Sequence, residues 1–184
     1  QTLYQRSASL GMPLQPLADR GMVSLTAINV GEVSPGQFSD LVRSSVDRDG
    51  ARVVVIDSLS GYLQSMPGAQ ALITQLHGLF TYLSGRGVLT FMVIATHGLF
   101  GEVDAPVDIS YLADAVILLR HFEARGEMRR CIAVLKKRYG NHERTIREVL
   151  LGPGGIALGE PLVEFEGILT GQPRYHGAPS NLLG

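Results

Sequence analysis

Residues 51–61 read ARVVVIDSLSG. Four apolar β-formers, Val53 to Ile56, run into Asp57 and Ser58. A continuous apolar run of this length, bounded by polar residues, predicts a buried strand of a parallel sheet. In open α/β folds ligands sit beyond the carboxyl ends of such strands, where a carboxylate can hold magnesium directly or through water. Asp57 is therefore a candidate for the acidic half of a nucleotide–magnesium site; its plainer role would be to cap the following turn. The phosphate loop that usually accompanies such an acid, G-x-x-x-x-G-K-[ST], occurs nowhere in the 184 residues.

Outward from this strand the pattern is strand–helix–strand. Upstream, Ser34-Pro35 with Gln37 supplies a hydroxyl cap, a first-turn proline and a capping-box glutamine for a helix through about Arg48. Residues 1–10 read as the end of a helix stopped by Gly11, and MVSLTAINV (22–30) alternates as a strand. Downstream, Leu72, Leu76, Leu79 and Leu83 fall at i, i+4, i+7 and i+11, the core stripe of an amphipathic helix ending near 85–87. VLTFMVIAT (88–96) is a second continuous apolar strand. After Leu112, DAVILLRHFE, the turn ARGE, MRRCIAVLKKR and TIREVLLGPGGI follow with short connections, which predicts antiparallel strands. The fold class expected is α/β: a three-layer, mostly parallel sheet with antiparallel strands at its C-terminal end. Residues 1–173 are expected to belong to that domain. Residues 174–184 are expected to form a mobile tail, and 98–110 a surface loop that is mobile from Gly98 to Pro106 without nucleotide.

Bulk properties narrow the function. At 45% hydrophobic and 18% charged the chain is an ordinary globular protein. A net charge of −1 gives no global field for nucleic acid, and no apolar run reaches the ~18 residues of a membrane span. The single cysteine, Cys131, forms no internal disulfide, as fits a reducing cytoplasm, and its apolar surroundings predict a buried, inert thiol. No Cys/His spacing suggests zinc. DSLSG lacks the first glycine of G-x-S-x-G, which counts against a Ser–His–Asp hydrolase.

KKRYGNH (136–142) gathers basic groups at the end of a strand. Lys136 and Arg138, two apart, project from one face of a strand, and such a pair suits phosphate oxygens: the guanidinium as a fork, the ammonium as a point charge. Charges that keep an edge strand from aggregating would look the same. Thr96 and His97, after the second apolar strand, lie at the same sheet edge as Asp57 and could sense a phosphate. His77 sits in the amphipathic helix, where it packs or faces solvent.

In order along the chain, VVVIDSLSG, DISYLADAVILLRHFEARGEMRRCIAV, KKRYGNHERTIRE and FEGILTG resemble the KaiC-type ATPases of the RecA superfamily over residues 51–173. The resemblance implies an ATP- and Mg²⁺-using cytoplasmic ring homo-oligomer, a hexamer, with signalling proteins as further partners. It places the phosphate loop and a water-activating glutamate pair upstream of Gln1, so the chain is expected to be the C-terminal portion of a RecA-like domain. By the same resemblance Asp57, with Ser58 beside it, organises magnesium. Lys136, Arg138 and His142 match K-x-R-x-x-x-H and reach the nucleotide of a neighbouring subunit. Ser110 matches a phosphate-accepting serine of an autokinase, whereas Tyr111 stands where a threonine would be. Two other readings stay open: a non-enzymatic signalling or scaffold module, and a RecA-type DNA recombination ATPase, for which the chain shows no basic stripe.

Overall fold

A computed structural model describes residues 2–29, 31–64, 69–95, 110–170 and 172–177. They fall into two compact units.

One unit is built on the parallel pair β1 (Val53–Asp57) and β2 (Leu89–Val93), in register from Val53 opposite Leu89 to Asp57 opposite Val93. Between them run α4 (Leu59–Gln64) and α5 (Ala69–Gly85). The leucine stripe is realised in full: Leu72, Leu76, Leu79 and Leu83 are each at most 3% exposed. They pack with Phe38 and Val42 of α3 (Pro35–Asp47), and with Ile56, Leu59 and Val88. The Ser34 capping box forms as expected. The Gln37 N–H donates to Ser34 Oγ (3.3 Å) and the Ser34 N–H donates to Gln37 Oε1 (2.8 Å), so two otherwise orphaned donors are satisfied.

Among the described residues, α3 and α5 pack on one face of the parallel strands, and Val53, Val55, Leu89, Phe91 and Val93 on the other are 41–60% exposed. One expectation for this region needs correction. Residues 23–29 form no strand, since among the described residues nothing pairs with them; an alternating pattern without a ladder partner leaves its backbone groups to solvent. Met22 and Leu25, at 68% and 50%, are accordingly exposed.

The other unit holds α1 (Thr2–Ser9), α2 (Gln15–Asp19) and a four-stranded antiparallel sheet in the order β3-β4-β5-β6. Its strands are β3 (Ala115–Ala124), β4 (Glu127–Lys137), β5 (Arg147–Gly152) and β6 (Gly155–Pro161). The β3–β4 hairpin turns on Arg125 and Gly126, both at positive φ (56° and 70°), the two-residue geometry that matches strand twist. Gly11, at φ 71°, closes α1 against the β5–β6 turn. A Cβ there would meet the Pro153 carbonyl oxygen at 2.2 Å, so no other residue fits.

The FEGILTG segment has a structural role in this unit. Ile168, 1% exposed, joins Phe122, Ala124 and Cys131 in a second core, and Arg120 Nη1 donates to the Leu169 carbonyl. Burial pushes the Cys131 thiol above its usual range, consistent with an inert core residue. Phe165–Glu166 (β7) pairs with Arg174–Tyr175 (β8), which puts two residues of the expected tail into a ladder. Residues 178–184 and the segment Gly98–Pro106 lie outside the described residues. No helix among those described is long and apolar enough to cross a membrane.

Candidate functional site

Asp57 is the last residue of β1 and is exposed, at the carboxyl edge that the sequence predicts for a ligand. Behind it the chain is held firmly. Leu59 is fully buried, and the buried Ser60 hydroxyl bonds both polar groups of Ala95, donating to its carbonyl (3.1 Å) and accepting from its N–H (2.9 Å). This stitch fixes the end of β2 to the first turn of α4, so the acid sits on a braced edge. Ser60 escaped the sequence reading; its only signal was a second serine three residues beyond Asp57. Ser58 is half-buried, and the Asp57–Ser58 peptide is cis. Thr96 and His97 lie outside the described residues. His77 is exposed on α5.

In the antiparallel unit, β4 ends at Lys137, so Lys136 is on the ladder and Arg138 is one residue beyond it. Lys136 is half-buried opposite Val116; Arg138 is exposed. The strand spacing therefore places only one of the two on a ladder. Arg138 is fixed instead by Asp114: its N–H donates to the Asp114 carbonyl (2.7 Å), and its Nη1 lies 2.9 Å from Asp114 Oδ1. Beyond it the backbone turns at Gly140 (φ 75°), where Lys137 Nζ donates to the Asn141 carbonyl (3.2 Å). Lys137, Gly140, Asn141, His142 and Arg144 line an open cleft of about 570 Å³. The sequence reading missed Lys137 and Arg144, although both lie in or just beyond the quoted basic run. Four cationic or protonatable side chains on one short connection suit an anionic ligand.

The far side of this connection is anchored by Glu143. Its carboxylate accepts from Thr145 Oγ1 and from Arg147 Nε (2.6 Å), and these bonds hold its pKa below the usual 4.5, the Thr145 bond being the larger cause. A depressed folded pKa means that the contribution is complete above about pH 4.5 and fades as pH falls through the lower folded value. A carboxyl ¹³C titration should therefore give Glu143 a midpoint below 4.5, and a midpoint at or above it would contradict the anchoring.

Ser110 begins a 3₁₀ turn, Ser110–Leu112, in which Tyr111 is exposed. Among the described residues no group of three or more His, Cys, Asp or Glu could hold a metal by itself. Asp57 and Ser58 are hard oxygen donors on an accessible edge. They fit Mg²⁺, which usually takes one or two protein oxygens and completes its shell with waters and substrate phosphates.

Comparison with known proteins identifies the family of the chain. A family model for the KaiC ATPase matches residues 1–163. Circadian clock protein KaiC3 of Synechocystis sp. is 34% identical over 123 residues, covering 66% of this chain and 24% of that protein. Circadian clock oscillator protein KaiC of Picosynechococcus sp. is 24% identical over 172 residues, covering 93% of this chain and 33% of that protein. The Synechococcus elongatus protein of the same name is 25% identical over 182 residues, with the same shares covered. The chain thus spans a quarter to a third of these relatives' length. With parallel β1–β2 followed by antiparallel strands and a match over residues 1–163, this chain belongs to the KaiC ATPase family and has its RecA-like α/β fold.

Proposed function

We propose that residues 1–173 form a portion of an ATPase domain that hydrolyses ATP at sites shared between copies in a ring. Asp57 serves the nucleotide of its own copy; Lys136, Arg138 and His142 serve the nucleotide of the neighbour. The observation that carries the reading is the family match over residues 1–163, which spans both the acidic edge and the basic connection.

Asp57 and Ser58 would hold Mg²⁺, which when bound neutralises charge on the nucleotide phosphates. Arg138 presents a fork of N–H donors and Lys136 a point charge to the oxygens of the transferred phosphoryl group. Charge grows there as the bond to the leaving oxygen lengthens, so a fixed cation stabilises the transition state more than the ground state. His142 adds a donor from the same connection, and Thr96 and His97, which follow β2 in the sequence, are further phosphate contacts in this reading. A heterologous contact of this kind closes only by rotation, which is why a ring, a hexamer in this reading, is the natural assembly. In the same reading Ser110 is an alternative acceptor, its hydroxyl taking the place of water.

Asp57→Asn in the full-length protein tests the reading. ATP turnover should fall by 10²-fold or more, the size of effect seen when one electrostatic group is removed from such a site. Turnover equal to wild type would sink the role proposed for Asp57, whereas absence of ATP turnover in the wild-type protein itself would favour the scaffold reading.

A further inference from the structure

The β3–β4 hairpin contains an irregularity whose effect is to choose the partner of Asp114. From the turn at Arg125–Gly126 the strands pair without interruption from Ala124 opposite Glu127 to Ile117 opposite Val134. Continued at that register, Asp114 would face Lys137. One extra residue, Leu135, is accommodated between Val134 and Lys136, and the pairing resumes as Val116 opposite Lys136 and Ala115 opposite Lys137. Asp114 consequently faces Arg138. Bulges commonly re-aim a side chain in this way beside active sites.

We propose that Asp114 is a positioning residue for Arg138. This rests on the reading in which Arg138 meets a neighbour's phosphate. The two residues are tied twice, by the backbone bond of 2.7 Å and by the ion pair of 2.9 Å. The ion pair is open to solvent, with side chains 43% and 68% exposed, so as a surface pair it adds little to the stability of the fold. Its consequence is conformational. An arginine side chain has considerable rotamer freedom to lose when it binds, and a guanidinium already confined by a carboxylate at Nη1 has less to lose when phosphate oxygens meet its remaining donors. Asp114 touches neither nucleotide nor reacting atoms in this scheme; it acts through the arginine. The backbone acceptor is the Asp114 carbonyl and not its side chain, so a side-chain substitution at position 114 removes the ion pair and leaves that bond available to hold the register.

The test is ATP turnover and thermal unfolding of full-length Asp114→Ala, Asp114→Glu, Arg138→Ala and the Asp114→Ala/Arg138→Ala double variant. Asp114→Ala should lower kcat three- to tenfold with KM for ATP within twofold and the unfolding midpoint unchanged. Asp114→Glu should recover most of that loss. In the Arg138→Ala background, Asp114→Ala should cost nothing further, because no guanidinium remains to be positioned. Should Asp114→Ala fail to fold, the isosteric Asp114→Asn replaces it under the same criteria. A normal kcat for Asp114→Ala beside a slow Arg138→Ala would overturn the positioning role and leave the shared site standing. So would an equal further loss in the double variant. A normal kcat for Arg138→Ala would overturn the shared-site reading, and the positioning role with it.

Discussion

Replacing Arg138 by alanine is expected to slow ATP turnover of the full-length protein about 10³-fold, the lower end of what an arginine supplied to a transferring phosphoryl group contributes. The expectation rests on where Arg138 stands: one residue past the end of β4, exposed, and tied at Nη1 to Asp114. The same exposure bounds the structural cost. A solvent-open ion pair contributes about 0–1 kcal/mol, so the variant should fold normally and bind nucleotide nearly as well as wild type. Steady-state turnover together with equilibrium nucleotide binding checks both halves. Weakened nucleotide binding with kcat unchanged at saturating ATP would mean that Arg138 holds the ground state and gives no preference to the transition state.

The second large effect is on stability. Phe122→Ala should destabilise the antiparallel unit by about 3–5 kcal/mol, the usual cost of deleting a buried phenyl ring. Phe122 is 1% exposed and stacks edge-on against Phe165 at 5.9 Å between centroids; Phe165 in turn packs on Tyr175 at 5.2 Å. Removing the first ring therefore undercuts the β7–β8 pair as well as the second core. Val163→Ala, at a position 82% exposed, is the control and should stay within about 0.5 kcal/mol. Urea unfolding followed by Tyr fluorescence measures both, and a Phe122→Ala midpoint indistinguishable from that of Val163→Ala would contradict the packing described.

Much of this architecture is legible because the determining patterns are local. The Val53–Asp57 run, the leucine stripe of α5, the Ser34 capping box and the Arg125–Gly126 turn each depend on residues within a few positions of one another. What the sequence does not display depends on register or on partners distant along the chain. Residues 23–29 alternate like a strand but find no ladder among the described residues, and pairing is what an alternating pattern cannot guarantee. Tyr82 of α5 lies beneath Arg43 of α3 at 4.2 Å, a cation–π contact made by the packing of the two helices, whereas its contact with Arg86 (5.4 Å) is a local i, i+4 pair. At the candidate site, Asp57 and the basic run stand out by residue type. The link from Asp114 to Arg138 does not, since a single extra residue at Leu135 decides which cation the carboxylate meets.

The central claim, that each site takes its acid from one copy and its arginine from the next, is tested most directly by mixing. Full-length Asp57→Asn and Arg138→Ala subunits are each slow alone. If they are dissociated and reassembled in equal amounts, a site that pairs Asp57 of an Arg138→Ala subunit with Arg138 of an Asp57→Asn neighbour is intact. Random assembly in a closed ring makes about a quarter of all sites of this kind, so ATP turnover should rise to about a quarter of wild type. If both residues served the same copy's nucleotide, no mixed ring would contain an intact site. Turnover that stays at the level of the separate variants, although the subunits demonstrably co-assemble, would contradict the shared-site account.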